Sequence, residues 1–167
     1  MEAALSLGSN LGNRLEHLRR ARQGLACLPH SSVTAVSSVY ETEPVDVPER
    51  YRCAGFLNAV VIVETGLNAD AFSDCVHALE NQLGRQRGAE RHAPRTIDID
   101  IVYMGALTRD AAALRLPHPE WSGRRFVCAP LAELRPDLVL PGTSLTVMQI
   151  LASLPENPSA RPAAEQW

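Results

Sequence analysis

The chain has 167 residues, 46% of them apolar and 21% charged, which suits one globular domain with a substantial core. Its formal charge of −3 argues against a general nucleic-acid binder, and no apolar run approaches the ~18 residues needed to cross a membrane. All 16 basic residues are arginine, which excludes a Walker A lysine, a Schiff-base lysine and a Ser-Lys nucleophile pair.

Residues 3–7 read as a short buried strand ending at Gly8, and the opening MEAALSLGSN has the makings of neither a basic n-region nor a long apolar h-region. Ser9, Asn10 and Asn13 offer caps for a helix in which Leu15, Leu18, Ala21, Leu25 and Leu28 recur at helical spacing until Pro29. The β-branched stretch 33–42 predicts a strand, and residues 43–55, with two prolines and several charges, a long loop. A strand over 56–64 carries the apolar run 59–63. Asn68 then caps a second helix that turns Phe72, Val76, Leu79 and Leu83 inward and ends at Gly84.

An arginine-rich loop leads into strict polar/apolar alternation over 96–101, the period of a half-buried strand continuing to Tyr103. Pro117, Pro119 and Pro130 punctuate the next segment, where the pattern predicts a short helix over 129–134, then a brief strand over 138–140 and a final helix over 145–154 capped by Ser144. The order β-α-β-β-α-β predicts an α+β fold: a ferredoxin-like antiparallel sheet core with helices packed on one face, plus a C-terminal helical addition. Residues 1–154 form a single domain in this reading, and 155–167 a proline-rich, loosely ordered tail.

Cys27, Cys53, Cys75 and Cys128 form no CxxC pair, so reduced thiols in a cytoplasmic protein are expected. The five histidines show no HExxH spacing. The chemistry concentrates in 84–104, GRQRGAERHAPRTIDIDIVYM. Arg85, Arg87, Arg91 and Arg95 fall within eleven residues, and Asp98 and Asp100 follow at once. Alternation places both carboxylates on one strand face, roughly 6.5–7 Å apart. Two such acceptor-only groups suit a hard cation such as Mg²⁺, which takes one or two carboxylates plus substrate phosphates. Arginine forks next door suit phosphate oxygens. The combination points to metal-assisted transfer of a phosphate-containing group; the plainer alternative is a solvated arginine loop beside an ordinary half-exposed strand.

Several segments together resemble a known family: LSLGSNLGNR at the N-terminus, SSVYETEPV at 37–45, FLNAVV at 56–61, the PRTIDIDI run with its arginines at 84–101, and LPHPxWxxRRFVxxPL at 116–131. The chain is similar to 6-hydroxymethyl-7,8-dihydropterin pyrophosphokinases of the folate pathway, in order from residue 3 to about residue 151. The resemblance implies transfer of pyrophosphate from ATP to the hydroxymethyl group of a reduced pterin, with release of AMP and use of two Mg²⁺ ions. It implies that Asp98 and Asp100 bind metal and that Arg85 and Arg95, with Arg87 in the same loop, act on the phosphates. Phe56 and Phe126 would sandwich the pterin, and Asn58 would read its edge with Thr42 nearby. Glu80, Ile99, His118 and Arg124 would lie along the nucleotide.

A monomeric cytoplasmic protein that takes ATP and a reduced pterin, and neither nucleic acid nor membrane, is the resulting expectation. His92, Gly88 and Pro119 depart from the family pattern in ways that touch loop closure rather than reaction class. The competing reading is a ferredoxin-like module that binds RNA or another anion without catalysis. The few aromatic residues and negative charge speak against it.

Overall fold

The computed structural model describes residues 1–42, 55–84, 96–156, 159–163 and 167. A six-stranded antiparallel sheet organises them. Its elements in chain order begin with β1 (Glu2–Ser9), α1 (Arg14–Ala26), β2 (Ser31–Val36), β3 (Tyr40–Thr42), β4 (Phe56–Thr65), α2 (Ala69–Gln82) and β5 (Asp98–Met104). A small hairpin follows, β6 (Arg109–Ala111) and β7 (Leu114–Leu116), then a 3-10 turn at Trp121–Gly123, α3 (Arg125–Leu134), α4 (Val147–Ser153) and β8 (Ala160–Pro162). Across the sheet the order is β5-β1-β4-β3-β8, with β2 also pairing β4.

β4 pairs with β1 along its length, while its other edge is shared: Phe56–Asn58 meet β3, and Val61–Thr65 meet β2. The single strand predicted over 33–42 is therefore two. Ser37 bridges the break, its N–H donating to Val60 O at 2.9 Å and its Oγ accepting from Val60 N–H at 2.9 Å. Glu133 of α3 then accepts from the backbone N–H and the hydroxyl of Ser38, both at 3.0 Å. Side chains replace ladder bonds there, a local competition that β-branched composition does not reveal.

The apolar run in β4 reflects burial on both faces. Val61 and Val63 meet Leu18, Leu25, Phe72 and Val76 of α1 and α2. Val60 and Ile62 meet Val127, Leu131, Val147 and Ile150 of α3 and α4. The core helices α1 and α2 thus share one face, and the C-terminal helices, which the sequence predicts only as an addition, form a second layer across the sheet. On the first face, Asn13 and Asn68 cap α1 and α2, accepting from Glu16 N–H at 3.2 Å and Ala71 N–H at 2.9 Å. Gly24 lets the two helices meet, since a Cβ there would fall 2.3 Å from Leu79 Cδ1.

Four C-terminal details differ from the sequence expectation. α3 begins at Arg125, with Pro130 inside it rather than in its first turn. Residues 138–140 are not a strand; Leu138 O instead accepts Val147 N–H at 2.9 Å. Thr146, not Ser144, caps α4, in a reciprocal capping box with Gln149. Part of the tail expected to be loosely ordered supplies β8 against β3, and Trp167 Nε1–H donates to Ser37 O at 2.8 Å.

At the far end of β1, Arg135 donates to Glu2 from Nε and Nη2, the latter at 2.6 Å, and Tyr103 O–H donates to the same carboxylate at 2.6 Å. The Arg135 hydrogen bond holds the Glu2 carboxyl below its ordinary value of 4.5. The stabilisation is thus present above pH 4.5 and lost as pH falls through the lower folded value. With both side chains about one-third exposed (28% and 33%), Arg135→Gln is expected to cost about 1 kcal/mol at pH 7 and to flatten stability between pH 5 and 3. Urea unfolding of both proteins across that range checks this; parallel pH profiles would contradict it.

Candidate active site

Strand register fixes which side chains share a face. Asp98 lies opposite Gly8, Gly8 opposite Asn58, and Asn58 opposite Tyr40. Asp100 lies opposite Ser6 in the adjacent row. Directly opposed residues in antiparallel pairs project to one side. Asp98, Asp100 and Asn58 therefore share a face, together with Phe56 and its partner Thr42. Tyr40 identifies that face, because its O–H donates across to Glu133 of α3 at 3.1 Å. Burial and then Glu133 raise the Tyr40 phenol to about 12, so it stays a neutral donor.

Asn58 is 3% exposed, and its Nδ2–H donates to Thr42 Oγ1 at 2.7 Å, which sets the amide's orientation. Gly8 leaves room beside it: a Cβ there would stand 3.1 Å from Asn58 Oδ1. This is the physical use of the glycine in LGSN, which sequence reasoning treated only as a strand end. Arg14 was likewise missed. From the first turn of α1 it donates to Gly55 O at 2.6 Å and pairs with Glu41 at 3.3 Å, joining the two described flanks of segment 43–54. An arginine opening a helix gives no sequence signal of such a tie.

Asp98 and Asp100 are both half-buried on β5. Arg124 Nη1 stands 3.9 Å from Asp100 Oδ2, and the same guanidinium contacts Glu120 and lies 5.6 Å from the centroid of Phe126. These three contacts place a cation and an aromatic ring at the start of α3, beside the carboxylates. His118 reaches the same neighbourhood by donating its N–H to Val102 O at 2.8 Å, while its Nδ1 accepts Glu120 N–H at 3.2 Å. Ile99 and Glu80 lie on the opposite face. Ile99 enters the α1/α2 core, and Glu80 is 0% exposed, accepting Ile99 N–H at 2.7 Å. Arg85, Arg87, Arg91 and Arg95 lie outside the described residues, as do Gly88 and His92.

The carboxylate pair has a donor set of hard oxygens that fits Mg²⁺. Among the described residues no cluster of three or more His, Cys, Asp or Glu forms a closed metal cage. Two carboxylates with further positions left to water and phosphate oxygens match the way that ion is usually held. Paired carboxylates, a cation, a half-buried ring and a buried amide are gathered at one end of an antiparallel α+β sheet, a chemistry suited to a phosphorylated ligand.

Comparison with known proteins makes this specific. The family model for 7,8-dihydro-6-hydroxymethylpterin-pyrophosphokinase (HPPK) matches residues 4–136. A 2-amino-4-hydroxy-6-hydroxymethyldihydropteridine pyrophosphokinase of Bacillus subtilis is 41% identical over 132 residues, covering 79% of this chain and 77% of the relative. Its counterpart in Methylorubrum extorquens is 41% identical over 154 residues, covering 91% of this chain and 92% of the relative. The Plasmodium falciparum HPPK-DHPS crystal structure with SDX-DHP superposes with a TM-score of 0.65 at 15% identity. That likeness speaks for the fold alone; it covers 90% of this chain, which spans 44% of the longer one. The chain belongs to the 7,8-dihydro-6-hydroxymethylpterin-pyrophosphokinase family.

Proposed function

We propose that this chain transfers pyrophosphate from ATP to the hydroxymethyl group of 6-hydroxymethyl-7,8-dihydropterin at the Asp98–Asp100 end of the sheet, with Mg²⁺ held by the two aspartates. Family membership carries the reaction. The observation that carries the location is the shared face of Asp98, Asp100 and Asn58, with Arg124 beside Asp100. In the reaction the hydroxymethyl oxygen bonds to the β-phosphorus, the α–β bridge bond breaks, and AMP leaves while the hydroxyl proton is lost.

Bound there, Mg²⁺ would neutralise triphosphate charge and align the phosphates. Arg124 adds a fixed positive charge at the same place, and Arg85, Arg87 and Arg95 are proposed to reach the transferring group, where charge develops. On the pterin side, Thr42 takes up the Asn58 Nδ2–H, so the amide presents Oδ1 as an acceptor for the amino-bearing edge of the heterocycle. Phe56 and Phe126 are both half-buried and are proposed to stack on the ring's two faces. His118 shapes the phosphate side through its backbone tie to β5.

We also read the core as ferredoxin-like, supported by the antiparallel order β5-β1-β4 with β2 and β3 at the next position. A monomer in the cytoplasm completes the proposal; the free thiols of Cys27, Cys75 and Cys128 suit a reducing compartment. Incubation with ATP, Mg²⁺ and the hydroxymethyl-dihydropterin is expected to release AMP in step with pterin diphosphate. Formation of ADP and a pterin monophosphate would make the protein a simple kinase and end the pyrophosphoryl assignment.

A further inference from the structure

A carboxylate with no exposed surface lies directly beneath the aspartate pair. Glu80 projects from the last turns of α2, is 0% exposed, and accepts the N–H of Ile99 at 2.7 Å. Ile99 stands between Asp98 and Asp100, and β5 is the outermost strand, paired on one side by β1. An outer strand has a second edge whose N–H groups need partners, and a buried one must find them within the protein. A side-chain oxygen reaching over from α2 meets that need for Ile99. On the β1 side, Ser9 Oγ–H donates to Thr96 O at 2.6 Å, two residues before the strand begins. The start of β5 is thus pinned at Thr96 from one side and at Ile99 from the other.

We propose that Glu80 is a positioning residue for the reaction: by holding Ile99 N–H it fixes the backbone from which Asp98 and Asp100 project, and so sets their metal-binding geometry. The role rests on the assignment of Asp98 and Asp100 as metal ligands. It differs from the nucleotide contact that the family resemblance implies for this position, because it acts through the strand and needs an acceptor atom rather than an exposed side chain. Partners that orient metal ligands typically change metal affinity or activity when lost.

The test uses the full chain with Glu80→Leu, which removes the acceptor, and Glu80→Gln, which keeps a carbonyl oxygen there. Amide exchange at Ile99, followed by NMR without metal or substrate, reads the tie itself. Glu80→Leu is expected to speed that exchange at least ~tenfold and to raise the Mg²⁺ half-saturation of turnover about tenfold, with the ATP KM at saturating Mg²⁺ little changed. Glu80→Gln is expected to stay within about threefold of wild type in both readouts.

Unchanged Ile99 exchange in Glu80→Leu would overturn the proposal. So would a Gln variant that loses ATP affinity as Leu does, since that pattern marks a direct contact requiring the charge. If Glu80→Leu does not fold, Glu80→Gln decides: wild-type exchange and Mg²⁺ dependence support the role, and loss of either overturns it. Wild-type turnover independent of Mg²⁺ would sink the metal assignment and the catalytic part of this proposal, while Ile99 exchange would still judge the tie.

Discussion

Asp98→Ala and Asp100→Ala are each expected to slow turnover on the order of 100-fold, a barrier increase of ~3 kcal/mol or more. On the proposal that both hold Mg²⁺, each substitution removes a hard oxygen ligand where triphosphate charge would be neutralised. The loss should persist at saturating Mg²⁺, because an ion held by one carboxylate is misplaced as well as weakly bound. The Asp100 variant also takes away the carboxylate 3.9 Å from Arg124. Its guanidinium then keeps Glu120 and Phe126, so Arg124 should stay in place and ATP affinity should fall less than turnover. Both aspartates are half-buried, and Ile99, Ile101 and Val102 of the same strand remain in the core. Melting temperatures within a few degrees of wild type are therefore expected, in the range of about 1 kcal/mol. Steady-state kinetics across a Mg²⁺ titration, beside thermal melts, gives both numbers. Near-normal turnover in either variant would remove that residue from the reaction.

The sequence exposes this strand so clearly because its information is local. Thr96 to Ile101 alternates without exception, and β5 alternates half-buried and buried over Asp98–Ile101. The helix caps at Asn13 and Asn68 were legible for the same reason: each cap is one polar side chain beside one orphaned N–H. Less visible were features created by residues distant in sequence. The break between β2 and β3 depends on Glu133, whose carboxylate comes from 95 residues beyond Ser38. The second helical layer was read as an addition, although the unbroken apolar run of β4 already required cover on both faces. Gly8 and Arg14 act through Asn58 of β4 and Gly55 just before that strand, which no window along the chain contains. Glu80 follows Leu79 on α2, but neither the helical pattern nor the family resemblance shows that its carboxylate meets a strand N–H; only the fold does.

Phe126→Ala is expected to raise the pterin KM by ~5- to 100-fold, since losing one aromatic stacking partner typically costs about 1–3 kcal/mol. The ATP KM should change by no more than about twofold, because in the proposed site the ring would offer surface to the flat heterocycle and no charge to the phosphates. The competing account makes Phe126 an ordinary core residue, and the structure gives it some weight: the ring packs partly against the α3/α4 cluster. It is only half-buried, however, and the guanidinium 5.6 Å from its centroid ties it to the carboxylate end of the sheet. Phe126→Leu separates the two accounts. Leucine restores most of the apolar volume but presents no flat face, so stability should recover while pterin affinity stays low. If leucine instead restores both together, or if alanine weakens ATP and pterin equally while the melting temperature collapses, Phe126 belongs to the core. The proposed pterin contacts would then reduce to Phe56 and Asn58 on β4.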